Sequence, residues 1–149
     1  MARLLLLNGP NLNLLGQREP DLYGADTLIA IERRAAAVAT ECGHELSAFQ
    51  SNAEHLLIER IHRAASEGVA FLIMNPGAFT HTSIALRDAV LAVRLPLIEV
   101  HLTNIHARES FRRHSYFADI AVGCIVGLGP LGYELAVRAA AAHLAARTA

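Results

Sequence analysis

The sequence predicts an α/β fold in which helices cover both faces of a five-stranded parallel sheet, giving three αβα layers. Two observations support this prediction. Five short, nearly continuous apolar segments recur along the 149 residues, as expected of strands buried on both faces. Segments with a helical spacing of apolar residues lie between them, which favours right-handed crossovers between parallel strands. A doubly wound, flavodoxin-like sheet of strand order 2-1-3-4-5 follows, with a Rossmann-type order as the alternative.

The individual elements follow from these patterns in chain order. Predicted strands cover residues 4–7, 46–49, 69–74, 97–100 and 120–126. Predicted helices cover about 28–42, 53–66, 82–93 and 131–146, with a short helix near 107–114. Asp26 is the expected N-cap of the first helix, and Gly43 is expected to end it.

Composition and charge narrow the class of protein. With 53% hydrophobic and 18% charged residues, the chain is typical of a single domain, expected to cover residues 1–149. A formal net charge of −1 gives no general attraction to nucleic acid or to an anionic membrane, so neither is an expected partner. The apolar run at 4–7 is too short for a signal peptide. Cys42 and Cys124 lack Cys-x-x-Cys spacing and are expected to pack inertly in a reducing compartment, by default the cytoplasm.

Polar residues gather after three of the predicted strands, at residues 8–13, 75–81 and 99–104. In an open α/β sheet, ligands bind outside the carboxyl ends of the strands, and these three ends share one edge. Loops rich in Asn, Pro and Gly are also common as simple turns. Because these loops add two histidines and a carboxylate, we expect one active crevice at this edge.

Glu99 and His101 are the strongest candidates for acid–base chemistry. They are two residues apart on one predicted strand, so their side chains point to the same face. A carboxylate beside an imidazole raises the pKa of the imidazole and fixes its tautomer, as a general acid requires. A purely structural histidine is the alternative. His81, at the start of the third helix, is placed either to receive an anion or hydroxyl or to cap the helix.

The connection between the first strand and the first helix is long and is expected to form an active-site lid at about residues 16–24. Arg18 precedes Tyr23 by five residues within it. A nearby guanidinium lowers the pKa of a phenol, which makes Tyr23 a candidate base. A surface tyrosine packed on an arginine is the commoner arrangement.

Other kinds of site are less favoured. Residues 127–132 match G-x-G-x-x-G, but the motif follows the last strand rather than the first, so we expect close packing there rather than a dinucleotide. A metal site made of His81, His101 and Glu99 is possible, although no His-x-x-x-His spacing occurs. The main rival is a flavin-binding or receiver module. The lack of Trp and the asparagines at the first and third strand ends speak against it.

The motifs taken together resemble those of the type II 3-dehydroquinate dehydratases, or type II dehydroquinases, over essentially the whole chain. The shared segments are 8–16, 18–20 with 23–24, 75–78 with 80–81, 99–102 with 104–109, and 127–133. The resemblance implies an anti elimination of water from 3-dehydroquinate to give 3-dehydroshikimate, without cofactor or metal. The reaction would serve the shikimate pathway or quinate breakdown.

The resemblance also implies a role for each reacting side chain. Tyr23, as tyrosinate, would remove the proton alpha to the ketone, while Arg18 lowers its pKa and stabilises the transition state. Asn11 would help to hold the enolate through a bound water. His101, oriented by Glu99, would protonate the departing hydroxyl. An alpha proton needs a base, and hydroxide leaves poorly unless a proton is supplied.

The resemblance further implies a substrate-binding set. Its members are Asn75, His81 and Asp88 toward the ring hydroxyls, Leu102 and Thr103 toward the carboxylate, and Arg112 toward a hydroxyl or the lid. Thr103 stands where serine is expected, and both residues offer a hydroxyl and a backbone N–H. The role of Arg108 stays open between a lid, a subunit and a substrate contact. Type II dehydroquinases form homododecamers, built as tetramers of trimers, which implies that assembly here with Asp88 near a subunit boundary.

Overall fold

The computed structural model describes residues 1–17, 19, 21 and 25–149. Within them, the strands are β1 (Arg3–Asn8), β2 (Glu45–Gln50), β3 (Val69–Asn75), β4 (Leu97–His101) and β5 (Gly123–Val126). All neighbouring strands pair in parallel, in the order β2-β1-β3-β4-β5. The predicted fold class and strand order are therefore confirmed.

Helices cover both faces of the sheet. They are α1 (Leu28–Glu41), α2 (Glu54–Ser66), α3 (Ile84–Val93) and α4 (Leu131–Thr148). Alternate residues of a strand point to opposite faces. In β1, Leu4 and Leu6 accordingly pack in the core beneath α1 and α4, whereas Leu5 and Leu7 pack in the core beneath α2 and α3. All four leucines are fully buried, which explains why this strand is continuously apolar.

The start of α1 differs from the sequence prediction. Thr27, not Asp26, is the N-cap, and its hydroxyl accepts the backbone N–H of Ala30 at 3.2 Å. Asp26 lies one residue too early for this contact and instead pairs with Arg34 at 3.1 Å. The expected end is confirmed, since Gly43 follows the helix with a φ of 79°.

Two elements in the C-terminal half of the chain also differ from their predicted bounds or type. The expected strand at 120–126 begins only at Gly123, because the N–H groups of Ile120 and Ala121 turn back to the carbonyl of the buried Phe117. The expected short helix at 107–114 is replaced by two 3₁₀ turns, Ile105–Ala107 and Ser110–Arg112. The extended backbone of Arg108 separates the two turns.

Within the described part of the chain, no helix is long and apolar enough to cross a membrane.

Candidate active site

A cavity of about 200 Å³ lies at the carboxyl edge of the sheet. Its lining residues are Pro10, Asn11, Leu12, Asn75, Gly77, Ala78, His81, His101, Leu102, Thr103, Ile105, Arg108 and Arg112. These come from the segments that follow β1, β3 and β4 and from the carboxyl ends of β3 and β4. The three polar loops therefore meet at one crevice, as their positions in the sequence predict.

Close contact between the first two loops forms one wall of this crevice. The N–H of Gly9 donates to the carbonyl of Asn75 at 2.8 Å. A Cβ atom at Gly9 would lie 2.2 Å from the carbonyl oxygen of Pro76. Only glycine fits at this position, because any side chain would push the β1 and β3 loops apart.

Glu99 and His101 lie at the end of β4 and are only 1% and 5% exposed. His101 Nε2 is 3.0 Å from Glu99 Oε1, as their shared strand face predicts. Burial alone would raise the pKa of Glu99. Hydrogen bonds from His101, Ser115 and Cys124 outweigh it and hold the pKa below its ordinary value. Glu99 is therefore ionised at neutral pH.

An ionised Glu99 fixes the tautomer of His101. A carboxylate only accepts hydrogen bonds, so Nε2 must carry the hydrogen that it shares with Glu99. The hydroxyl of Thr80, 3.4 Å from Nε2, is a further neighbour of this nitrogen. The nitrogen left for a ligand in the cavity is Nδ1, which is an acceptor in the neutral ring and a donor in the protonated ring.

His81 is held in the opposite tautomer. Its Nδ1 donates to the backbone carbonyl of His114 at 2.7 Å, which leaves Nε2 as an acceptor. Burial and the nearby positive charges of His101 and Arg112 lower the pKa of His81 below its ordinary value. A neutral His81 beside the cavity can accept a hydrogen bond from a ligand hydroxyl.

Asn75 is fixed by a chain of hydrogen bonds that runs under the cavity. Its Oδ1 accepts the N–H of Gly77 at 3.1 Å, and its Nδ2 donates to the hydroxyl of Tyr133 at 2.8 Å. That hydroxyl donates to Asn8 at 2.8 Å, and Asn8 donates to Glu32 at 3.2 Å. Tyr133 is fully buried, which raises its pKa, so it stays protonated. Asn75 keeps one amide hydrogen and one lone pair for a ligand.

Asn11 lines the cavity, and its backbone has a left-handed conformation with a φ of 68°. Its backbone N–H donates to Asn52 Oδ1 at 2.9 Å, and the same oxygen accepts from Gln50 at 3.2 Å. Asparagine tolerates this conformation better than most residues. The sequence did not single out Gln50, the last residue of β2, or Asn52, which follows the strand.

The residues that follow β4 give one side of the cavity a positive charge. Arg108 donates to the hydroxyl of Thr103 at 3.3 Å, and Arg112 pairs with Glu109 at 2.7 Å. Thr103, Arg108 and Arg112 all line the cavity together with Leu102. Two guanidinium groups and a hydroxyl in one wall suit a carboxylate or several hydroxyls on a ligand.

One described residue of the predicted site lies away from this cavity. Asp88 is exposed on α3 and does not line it. Arg18 and Tyr23 lie outside the described residues, as do Pro20, Leu22 and Gly24 of the predicted lid.

The glycine-rich segment after β5 has a structural role at this edge. The N–H groups of Gly127 and Gly129 donate to the carbonyls of His101 and Leu102, at 3.2 and 3.0 Å. Gly132 lets α4 approach the sheet, since a Cβ atom there would lie 3.3 Å from the side chain of Ile125. These contacts agree with the expected close packing.

Cys124, which was expected to pack inertly, contacts a carboxylate of the site. It is exposed on β5, and its thiol donates to Glu99 Oε2 at 3.4 Å. Burial of the thiol group and the charge of Glu99 raise its pKa to about 11, so it remains an unreactive thiol. Among the described residues, no group of three His, Cys, Asp or Glu side chains is arranged to hold a metal ion.

The fold and the cavity together define an α/β protein with a buried carboxylate–imidazole pair at the carboxyl edge of a doubly wound sheet. Comparison with known proteins identifies the family. Residues 2–141 match the family model described as dehydroquinase class II. The chain therefore belongs to the class II dehydroquinase family.

Curated relatives and solved structures agree with this assignment. The chain is 63% identical over 144 residues to the 3-dehydroquinate dehydratase of Nitrosococcus oceani, covering 97% of the chain and 98% of the relative. It is 63% identical over 147 residues to that of Ectopseudomonas mendocina, covering 99% of both. The structure of type II dehydroquinase from Propionibacterium acnes is similar at a TM-score of 0.90 and 40% identity. That match covers 95% of this chain and 97% of the other.

Proposed function

We propose that the cavity at the ends of β1, β3 and β4 is where the chain removes water from 3-dehydroquinate to give 3-dehydroshikimate. The enzyme class is that of the family, a hydro-lyase, and the shikimate pathway of aromatic biosynthesis is its known setting. The site is assigned mainly from the buried Glu99–His101 pair at the cavity. Glu99 binds Nε2 of His101, which leaves Nδ1 for a ligand.

The first half of the proposed reaction is removal of the proton alpha to the ketone. Tyr23, as tyrosinate, takes this proton, and Arg18 lowers the pKa of Tyr23 and stabilises the transition state. Negative charge then develops on the ketone oxygen as the enolate forms. Asn11, in the cavity wall, helps to hold this oxygen through a bound water.

The second half is loss of the hydroxyl. His101 donates a proton from Nδ1 to the departing oxygen, and the electrons of the enolate form the new carbon–carbon double bond. Glu99 accepts the Nε2 hydrogen of His101 and so orients the ring for this transfer from Nδ1. The two protons that move are thus handled by two different side chains, which allows an elimination without cofactor or metal.

Substrate binding is proposed to use the other residues of the cavity. Asn75 and His81 contact ring hydroxyls, for which His81 Nε2 is an acceptor and Asn75 has free hydrogen-bonding capacity. Leu102 and Thr103 bind the carboxylate through backbone N–H and hydroxyl groups. Arg112 binds a hydroxyl or a lid formed by residues 16–24.

Assembly into a homododecamer, a tetramer of trimers, is part of the proposal. Asp88 lies on an exposed face of α3 together with Ile84 and Leu91, which are 55% and 48% exposed. Their spacing of four and three residues places them side by side, as at a subunit contact. Light scattering tests this, and Ile84→Glu is expected to yield a smaller species. A monomeric wild type would contradict the proposed assembly.

A reducing compartment, the cytoplasm, is also proposed. Cys42 and Cys124 are both free thiols, as is usual for proteins kept in a reducing environment.

The test is an absorbance assay that follows the conjugated enone of the product. Chelator-treated wild type is expected to turn over 3-dehydroquinate at its full rate, whereas Tyr23→Phe is expected to lose turnover and keep its circular dichroism spectrum. Appreciable turnover by Tyr23→Phe would assign the base to another residue. Activity lost to the chelator and restored by a metal would overturn the metal-free reaction.

A further inference from the structure

The segment from His114 to Asp119, between the 3₁₀ turns and β5, contacts His81 and Glu99, the carboxylate that pairs with His101. The carbonyl of His114 accepts from His81 Nδ1 at 2.7 Å. One residue later, the hydroxyl of Ser115 donates to Glu99 Oε1 at 2.6 Å. One hydrogen bond of His81 and one of Glu99 thus come from two consecutive residues, neither of which lines the cavity.

The direction of the Ser115 hydrogen bond is fixed by its other contacts. Its oxygen accepts the N–H groups of Phe117 at 3.0 Å and Ala118 at 3.1 Å. A hydroxyl has one hydrogen and two lone pairs, so with both lone pairs engaged its hydrogen points to Glu99. The Ser115 hydroxyl therefore donates to Glu99 Oε1, the same oxygen that is hydrogen-bonded to His101 Nε2.

The segment is itself anchored to the rest of the fold at three places. The N–H of Tyr116 donates to the carbonyl of Thr80 at 2.9 Å. Arg87 of α3 donates to the carbonyl of Tyr116 at 2.8 Å and forms a two-pronged ion pair with Asp119. The side chain of Phe117 is fully buried in the core under α2 and α3. These contacts fix the segment relative to the helix that follows the β3 loop.

We propose that the 114–119 segment positions both histidines, and that Ser115 is a positioning residue whose hydroxyl holds Glu99 in the orientation that sets the tautomer of His101. This rests on the proposed function of His101 as the acid. In Ser115→Ala, Glu99 loses its shortest hydrogen bond, and the carboxylate gains freedom to turn away from Nε2. The substrate-binding residues keep their contacts, so the effect falls on the chemical step.

The first test separates kcat from KM. Ser115→Ala is expected to lower kcat by about tenfold with KM within about twofold, as expected from loss of one hydrogen bond to a charged group. Ser115→Thr keeps the hydroxyl and is expected to recover most of kcat. The matched control is Ser66→Ala, which removes an exposed serine hydroxyl at the end of α2, before the amino end of β3, whereas the site lies at the carboxyl end of that strand. A wild-type kcat in Ser115→Ala, or a loss that Ser115→Thr does not recover, would overturn the proposal.

The second test needs no substrate. The ¹⁵N shifts of the His101 ring report which nitrogen carries the hydrogen, and we expect a single Nε2–H tautomer in wild type and a mixed population in Ser115→Ala. An unchanged pattern would overturn the role of Ser115, whether or not the protein dehydrates 3-dehydroquinate. A wild type without turnover would instead overturn the proposed function.

A third variant covers the case in which Ser115→Ala fails to fold. Asp119→Asn changes an exposed residue and weakens the ion pair with Arg87, so folding is expected to persist. Looser anchoring of the segment should broaden or shift the ring signals of both His81 and His101. Unchanged signals for both histidines would contradict positioning by the segment.

Discussion

The hydroxyl of Tyr133 lies 2.8 Å from Asn75 Nδ2 and 2.8 Å from Asn8 Oδ1, so that one buried phenol joins α4 to the ends of β3 and β1. All three side chains are almost completely buried. Because Asn75 lines the cavity, this phenol connects the helix packing behind the sheet to the geometry of the site.

Tyr133→Phe is expected to destabilise the protein by about 1–3 kcal/mol and to raise KM. The ring still fills its place, but the amide of Asn75 and the carbonyl oxygen of Asn8 lose their partner in a buried environment. Urea unfolding and steady-state kinetics measure the two effects. The matched control is Tyr116→Phe, whose hydroxyl makes no hydrogen bond among the described residues, and whose stability should stay within about 0.5 kcal/mol of wild type. Equal stability of the two variants would show that the phenol network contributes nothing.

Glu99→Gln is expected to lower kcat by at least about tenfold. The neutral amide can present either an oxygen or an NH₂ group to Nε2, so it no longer fixes the tautomer of His101, as in acid–base sites where the orienting carboxylate is replaced by an amide. Steady-state kinetics measure the loss. A kcat equal to that of wild type would mean that His101 acts without help from Glu99.

Glu99→Gln is also expected to change how the free energy of unfolding depends on pH. The pKa of Glu99 is lower in the folded protein than its ordinary value of 4.5. Its ionisation therefore contributes stability that is fully present above about pH 4.5 and is lost as the pH falls below it, through the lowered pKa. The free energy of unfolding of wild type should consequently fall more steeply below this pH than that of Glu99→Gln. Parallel curves for the two proteins would contradict the lowered pKa.

Gly9→Ala is expected to destabilise the protein by about 2 kcal/mol or more and to reduce activity. Its Cβ atom would lie 2.2 Å from the backbone oxygen of Pro76, so the loops after β1 and β3 must separate. Gly123→Ala is the matched control, because a Cβ atom there meets nothing within 4 Å. Thermal unfolding and the dehydration assay compare the two. Wild-type stability in Gly9→Ala would show that the two loops do not need this contact.

His81 is expected to titrate with a pKa below 6.5 in the folded protein, because burial and nearby positive charge disfavour its protonated form. A base with a lowered folded pKa contributes stability that is present above pH 6.5 and is lost as the pH falls below that value. NMR titration of the ring gives the midpoint directly. A midpoint above 6.5 would mean that His81 is a cation near neutral pH and meets the substrate as a donor from both nitrogens.

Local patterns were sufficient to predict the sheet and the centre of the site. The unbroken leucines of β1 indicated a strand buried on both faces, and the two-residue spacing of Glu99 and His101 placed them on one face. The polar strand ends indicated where the cavity lies, because parallel strands all end at the same edge.

Contacts between distant residues were not predictable in this way. Tyr133 and Asn8 are 125 positions apart, and Glu99 of β4 is 16 positions from Ser115, which lies outside any helix or strand. No periodicity links such residues, so Ser115 and the phenol of Tyr133 became visible only once the fold placed them. The choice between Asp26 and Thr27 as N-cap depended on one residue of register, which the spacing of apolar side chains does not resolve.

The most direct test of the account compares wild type with His101→Ala in the presence of 3-dehydroquinate, following the enone absorbance and, in parallel, exchange of the alpha proton with deuterated solvent. We expect wild type to form the enone, and His101→Ala to exchange the proton while forming little product, because the enolate forms but the hydroxyl does not leave. A well-folded wild type that forms no enone, or a His101→Ala variant that forms it at the wild-type rate, would contradict the account.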